Sequence, residues 1–208
     1  MAFEDLPRVA QIKISPERCQ RFREEVRAEQ GQQLGMVEFL HPRVEEFCGI
    51  MPARMGRFVL GSPRLRRLLG LFAKPRNLRT NSVRGFLLLY LMAKLRRLRP
   101  YSLVYQLEHA QMEQWLEAIR AAAATDPDLA LELARCGRLV KGYGDTRERG
   151  TGNLQRILAV YRKLQSLPGH AVSALRDAAM ADEGGAALAA VEAELLARRE
   201  GAVPPGYR

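Results

Sequence analysis

The stretch Arg138-Leu-Val-Lys-Gly-Tyr-Gly-Asp-Thr-Arg-Glu-Arg-Gly150 lies between two long segments of helical period. Before it, apolar residues recur at spacings of four, three and four, at Leu129, Leu133, Cys136 and Val140. After it, one predicted helix face collects Leu154, Ile157, Leu158, Tyr161 and Leu164. Spacings of three and four place side chains on one side of an α-helix. We therefore predict that the stretch joins two core helices of an all-α protein.

Outside this junction the sequence also predicts helices. Ser15-Pro16, Ser62-Pro63 and Asp126-Pro127 each place an N-cap residue before a proline at the first helical position. Further helices are predicted over residues 16–30, 41–47, 52–60, 64–72, 83–97, 102–124, 171–180 and 185–199. We expect a single multi-helix domain of about seven to nine helices over residues 15–199. An extended lead-in (1–14, with one short strand near 9–14) precedes it, and a flexible tail (200–208) follows.

The apolar run from Phe86 to Ala93 belongs to the helix predicted over 83–97. A helix that is apolar on all sides is normally central to a core, so we expect this one to be buried. Eight apolar residues are too few for a membrane span, which needs about twenty. The helix predicted over 102–124 is expected to have one apolar side, formed by Val104, Leu107, Met112, Trp115, Leu116 and Ile119.

The net charge of +10 is unevenly distributed. Between Phe47 and Leu107 there is no aspartate or glutamate, but there are thirteen lysines and arginines. Such an asymmetry indicates an anionic partner: nucleic acid, an acidic protein surface or an anionic membrane face. Residues 74–79 are predicted to be a basic loop. The candidate basic patch consists of Arg64, Arg66, Arg67, Arg76, Arg79, Arg84, Arg96 and Arg97.

Three scattered cysteines, Cys19, Cys48 and Cys136, form no disulfide framework and are expected to be small buried residues in a reducing compartment. The N-terminus has two acids and no apolar core, so no signal peptide is predicted. We predict a cytoplasmic location. Neither clustered cysteines nor a nucleophile beside a histidine is present, so metal and triad chemistry have no support.

The stretch 138–150 does not match a nucleotide-binding motif. Its glycines have the wrong spacing for a Walker loop or a dinucleotide fingerprint, and it follows a helix rather than a strand. One interpretation is a structural joint, with Gly142 ending one helix and Asp145 and Glu148 capping the next. The other is a contact loop for a partner or an anionic ligand. Its candidate residues are Arg138, Lys141, Tyr143, Asp145, Thr146, Arg147 and Arg149.

Four stretches together resemble one family. They are Glu38-Phe-Leu-His-Pro-Arg-Val-Glu-Glu46, Ser62-Pro-Arg-Leu-Arg-Arg-Leu-Leu69, Gly85-Phe-Leu-Leu-Leu-Tyr-Leu91 and Arg138-Leu-Val-Lys-Gly-Tyr-Gly-Asp-Thr146. They are similar to the C-terminal helical region of the long, fused beta subunit of bacterial indolepyruvate ferredoxin oxidoreductase, over about residues 5–190. That complex oxidatively decarboxylates aryl 2-oxoacids, transfers the acyl group to coenzyme A and reduces ferredoxin. The resemblance implies that thiamine diphosphate, Mg and iron–sulfur clusters belong to the partner subunit, with none bound by this chain.

The resemblance carries over no catalytic residue, because the family's N-terminal catalytic-type domain is missing here. The main hypothesis is a non-catalytic accessory domain that docks to the catalytic subunit of a 2-oxoacid oxidoreductase, or to ferredoxin. An alternative is a binding module for an anionic ligand, such as the phosphates of coenzyme A, using the basic patch and the 138–150 stretch. Nucleic-acid binding is a third alternative. It is weaker because few aromatic residues, which would stack on bases, accompany the arginines.

Overall fold

The computed structural model describes residues 5–201 except 33, 41–42, 72, 75, 143 and 165–166, with the backbone only at 40, 76 and 199–201. Within these residues the chain forms eleven α-helices and one two-stranded sheet, which confirms the all-α prediction with more helices than the expected seven to nine. The chain divides into two compact units, where the sequence predicts a single domain. The N-terminal unit is Asp5–His109, and the C-terminal unit begins at Ala110.

Six helices belong entirely to the N-terminal unit. They are α1 (Leu6–Lys13), α2 (Pro16–Glu25), α3 (Val44–Ile50), α4 (Ala53–Gly61), α5 (Pro63–Gly70) and α6 (Val83–Lys94). A 3₁₀ segment, Leu95–Tyr101, follows α6, and α7 (Leu103–Ala123) contains the boundary between the units. The extended lead-in and its short strand are wrong for residues 6–13, which form α1. The Asp5 carboxylate caps α1 by accepting a hydrogen bond from the Arg8 backbone N–H at 3.0 Å.

The sheet pairs β1 (Val37–Leu40) with β2 (Arg76–Arg79) in antiparallel register, Val37 opposite Arg79. Part of the predicted basic loop is therefore a strand. The Glu38 carboxylate on β1 accepts hydrogen bonds from Lys13 and Arg18, which ties the sheet to α1 and α2. Burial alone would raise the pKa of Glu38, but the hydrogen bonds and charges of these two cations outweigh it and hold the pKa below its ordinary value.

Beyond α7, the C-terminal unit contains four helices and a second 3₁₀ segment. They are α8 (Pro127–Arg135), the 3₁₀ segment Cys136–Leu139, α9 (Gly144–Leu164), α10 (Gly169–Ala181) and α11 (Ala186–Gly201). The core of this unit has large side chains without exposed surface, among them Leu133, Leu154, Ile157, Leu158, Leu175 and Leu188. The faces predicted on both sides of the 138–150 junction are thus confirmed, and Leu129, Cys136 and Val140 are buried as well.

Trp115 fixes α7 against the helix that follows it. Its indole Nε1 donates a hydrogen bond to the Leu133 carbonyl oxygen at 2.8 Å. A Cβ atom at Gly137 would lie only 2.7 Å from the indole ring, so only glycine fits there without displacement. On the part of α7 that lies in the N-terminal unit, Leu107 is exposed rather than buried, which corrects its predicted place on an apolar side.

Candidate interaction surface

Helix α6 is largely exposed, contrary to the prediction that it is central to a core. Only Gly85 and Leu89 are buried, on the side that packs against α1. Val83, Leu87 and Leu91 recur every four residues on the opposite side, with exposures of 84%, 53% and 55%. We call these three residues the α6 face. Helix α6 is apolar on all sides, but its neighbours in the structure cover only one side.

The start of α6 is held firmly in place. The Ser82 hydroxyl donates to the Arg79 carbonyl oxygen at 2.7 Å and accepts from the Gly85 backbone N–H at 3.1 Å. A Cβ atom at Gly85 would lie 1.9 Å from the same Arg79 oxygen, so α6 approaches β2 as closely as a glycine permits. The α6 face therefore lies on a helix whose start is capped and closely packed.

The candidate basic patch is spread over several elements of the N-terminal unit. Arg79 on β2 and Arg84 on α6 lie near the start of α6, and Arg96 and Arg97 follow its end on the first 3₁₀ segment. Three others, Arg64, Arg66 and Arg67, are on α5, which packs with α3 and α4. Arg76 belongs to β2, but its side chain is outside the described residues. The patch is therefore two groups, and one of them borders α6.

Few of these cations are neutralised within the chain. Among the described side chains of the patch, Arg66 alone has an ion pair with a described residue, Glu45 at 2.6 Å. Arg84 and Lys94 lie three or four residues from members of the α6 face, so they flank it on the helix surface. The apolar stripe is thus bordered by positive charge that no acid of the described chain compensates.

The 138–150 stretch is more helical than the sequence predicts. Helix α9 begins at Gly144, so the expected loop to Gly150 is wrong and Asp145, Thr146, Arg147 and Arg149 occupy the first turns of the helix. Gly142 has φ +76°, a conformation that favours glycine, but the preceding 3₁₀ segment ends at Leu139, so Gly142 lies in the connection and does not itself end the helix as predicted. Arg138 is on the second 3₁₀ segment, Lys141 is exposed in the short connection, and Tyr143 is outside the described residues.

Two residues of this stretch have structural roles that the sequence did not reveal. A Cβ atom at Gly150 would lie 2.1 Å from the Leu139 carbonyl oxygen, so the glycine permits close packing of α9 on the preceding segment. The Arg149 guanidinium pairs with Glu183 at 3.0 Å, and its hydrogen bond and charge lower the pKa of that carboxyl. Glu183 is 34 residues from Arg149 in sequence, so no local pattern indicated the pair.

The stretch and the basic patch belong to different units of the chain. The sequence-based hypothesis of one anion site built from both stays a prediction. Within the stretch, Arg149 is engaged by Glu183 of its own unit.

The structure places Cys48 and Cys136 in buried positions, as predicted, and leaves Cys19 half-exposed. Burial raises the pKa of the Cys136 thiol to about 12, so it remains protonated and is a poor nucleophile or metal ligand. In the part of the chain that the structure describes, no three His, Cys, Asp or Glu side chains gather as a metal site. No described helix has both the length and the apolar character to cross a bilayer.

Comparison with known proteins identifies the family. The model of a family of unknown function, DUF6537, matches residues 1–160, and the chain belongs to this family. The match includes the whole N-terminal unit and extends through most of α9. No curated protein and no solved structure matches the chain.

Proposed function

We propose that this member of the DUF6537 family is a non-catalytic docking domain of a 2-oxoacid:ferredoxin oxidoreductase complex of the indolepyruvate type. Its partner in this proposal is the catalytic subunit, which would hold the thiamine diphosphate, Mg and iron–sulfur clusters. The choice of complex rests on the sequence resemblance. The docking role rests on one observation, the exposed α6 face with its border of uncompensated cations.

An exposed apolar face of this kind supports a binding role. Soluble proteins seldom expose contiguous large apolar patches unless these bind something. Val83, Leu87 and Leu91 present a stripe with the spacing that a second helix packs against. Burial of each leucine side chain in an interface would contribute about 1.5–3 kcal/mol before the costs of association.

The border of positive charge supports an acidic partner surface. Arg84 and Lys94 would meet carboxylates near the two ends of the apolar stripe, which favours one partner orientation and speeds encounter. Arginine outnumbers lysine eleven to two between Phe47 and Leu107, and its planar fork suits geometrically fixed contacts with carboxylates. A partner surface with an apolar stripe and acidic residues beside it would match both the α6 face and its neighbouring cations.

The test is binding of the purified chain to the purified cognate catalytic subunit, measured by calorimetry at low salt. Leu87→Glu combined with Leu91→Glu places two carboxylates on the α6 face and is expected to weaken binding at least about 100-fold, since hot-spot residues cost about 2 kcal/mol or more each. Leu131→Glu is the matched control. Leu131 is an exposed leucine on α8 in the other unit, and its replacement is expected to leave binding unchanged.

A second variant separates charge from apolar contact. Arg84→Glu is expected to weaken binding at low salt and to lose most of this effect near 1 M salt, where charge interactions are screened within about 3 Å. No association of the unmodified chain with the catalytic subunit at low salt would refute the proposed complex. Unchanged binding by the double leucine variant would refute the assignment of the interface to the α6 face.

A further inference from the structure

A groove of about 820 Å³ lies within the N-terminal unit, beside the α6 face. One wall is the junction between α1 and α2, including Ser15 and Glu17. The other wall is the end of α6 and the start of the 3₁₀ segment, with Tyr90, Lys94, Arg96 and Arg97. Pockets that hold small organic ligands typically have volumes of about 300–1,000 Å³, so the groove has a suitable size.

The cations in the wall of the groove have no ion pair with a described acid. The Arg97 guanidinium makes no hydrogen bond or ion pair with any described residue, and the Lys94 ammonium lies over the Tyr90 ring, 5.0 Å from its centroid. Arg96 donates to the Gln11 side-chain oxygen at 3.5 Å, a long contact that leaves most of its fork available. The groove thus has three cations opposite a single acid, Glu17, and its lining favours a dianion.

The same groove offers an aromatic surface. Tyr90 lines it together with the apolar side chains of Ile14, Pro16 and Ala93. An inorganic anion would contact the cations but not the aromatic and apolar part of the lining. A ligand that combines a phosphate with a flat ring would use both parts, because guanidinium groups bind phosphate oxygens through paired hydrogen bonds and aromatic faces stack on rings.

We infer that this groove binds a small phosphate ester attached to an aromatic ring, of the nucleotide type. Lys94, Arg96 and Arg97 hold the phosphate, and the ring lies against Tyr90. Lys94 borders both the groove and the α6 face, but Leu87 and Leu91 are not part of the groove, so the leucine variants test the docking role and Arg97→Ala tests the groove. The inference does not use the 138–150 stretch.

The experiment is calorimetric titration of the full chain with adenosine 5′-monophosphate, adenosine and inorganic phosphate at one ionic strength. The nucleotide is expected to bind at least about 10-fold more tightly than either fragment, since charge-assisted hydrogen bonds and ring stacking each contribute more than 1 kcal/mol. Arg97→Ala is expected to weaken nucleotide and phosphate binding by about 10-fold, whereas Tyr90→Leu weakens only the nucleotide.

Arg64→Ala is the control, because Arg64 is an exposed cation on α5 outside the groove. It is expected to change nucleotide binding by less than about 2-fold, the effect of a distant exposed charge. Equal losses for Arg97→Ala and Arg64→Ala would overturn the inference, since they would indicate diffuse charge attraction. Equal affinity for phosphate and nucleotide would overturn the assignment of a ring-bearing ligand. Tighter binding of the chain to phosphatidic-acid vesicles than to the nucleotide would overturn it as well. Circular dichroism checks that each variant is folded.

Discussion

The two units differ in the burial of their large apolar side chains. Of the ten largest fully buried side chains among the described residues, nine lie in the C-terminal unit, and the exception is Cys48. Of the twenty exposed large hydrophobic side chains in the same part of the chain, eighteen lie in the N-terminal unit. The units are similar in length, so size does not account for the contrast.

Charged side chains show the same contrast. In the C-terminal unit, Arg156 pairs with Glu192 at 2.6 Å, and Arg176 pairs with both Glu132 and Asp177. In the N-terminal unit, most of the described arginines of the acid-free window have no ion pair with a described acid. Ion pairs occur in both units, but the N-terminal unit has an excess of cations over the acids that could pair with them. This difference is why we assign partner binding to the N-terminal unit.

The largest expected effect tests the contrast in burial. Leu158→Ala removes a side chain with no exposed surface and is expected to lower the free energy of unfolding by about 2–5 kcal/mol. Leu87→Ala removes an exposed one and is expected to change it by less than about 0.5 kcal/mol. Urea denaturation followed by far-UV circular dichroism measures both. Comparable losses for the two variants would mean that Leu87 is buried in solution.

The next effect concerns glycines that lie close to a backbone carbonyl oxygen, and we compare one from each unit. Gly150→Ala and Gly85→Ala are each expected to cost about 1–3 kcal/mol, because the added methyl group meets a backbone carbonyl oxygen. Gly152→Ala is the control, since nothing lies within 4 Å of its Cβ position and alanine favours a helix by up to about 1 kcal/mol. The midpoints of thermal unfolding rank the three variants by stability. If Gly85→Ala is harmless, the N-terminal unit adjusts its packing more easily than the C-terminal unit.

A third prediction tests the contrast in charge. Arg176→Met leaves Glu132 and Asp177 without their shared cation and is expected to cost about 1–3 kcal/mol. Arg97→Met is expected to change the free energy of unfolding by less than about 0.5 kcal/mol, since no described residue pairs with Arg97. Chemical denaturation at pH 7 compares the two. A large loss for Arg97→Met would contradict the view that the cations of the N-terminal unit are uncompensated.

The smallest expected effect is a pH dependence. The pKa of Glu38 is lowered in the folded chain, so its contribution is complete above its ordinary value of 4.5 and is lost as the pH falls through the folded pKa. Glu38→Gln is expected to make stability less sensitive to acid below about pH 4.5. Glu183→Gln in the other unit is the comparison. Its ion pair with Arg149 is exposed, so water screens it and the change is expected to be smaller. Denaturation midpoints across pH 3–7 measure both; a greater acid sensitivity in Glu38→Gln would contradict the sign.

Local patterns predicted the C-terminal unit well. The spacing of Leu129, Leu133, Cys136 and Val140 identified buried positions because other helices of the same unit, α10 among them, cover that side. The cap residues Ser15 and Asp126 also acted locally, each accepting a hydrogen bond from a backbone N–H three residues on. Features set by neighbouring residues were thus accessible from the sequence.

The N-terminal unit was predicted less well because its features depend on distant residues. Strand β2, with the sequence Arg-Asn-Leu-Arg, has no apolar alternation and exists through its pairing with β1. The apolar residues of α6 predicted burial, but composition does not specify whether the covering surface belongs to the same chain. For the same reason, the sequence marks Arg149 as a candidate contact residue but does not indicate its partner, Glu183.

The single tryptophan also makes the two units experimentally separable. Trp115 is the only tryptophan in the chain, and its indole is anchored in the C-terminal unit by the hydrogen bond to Leu133. Its fluorescence therefore reports on one half of the molecule, while far-UV circular dichroism reports on the helices of both. A melting curve recorded by both signals would show directly whether the two halves unfold together or in sequence.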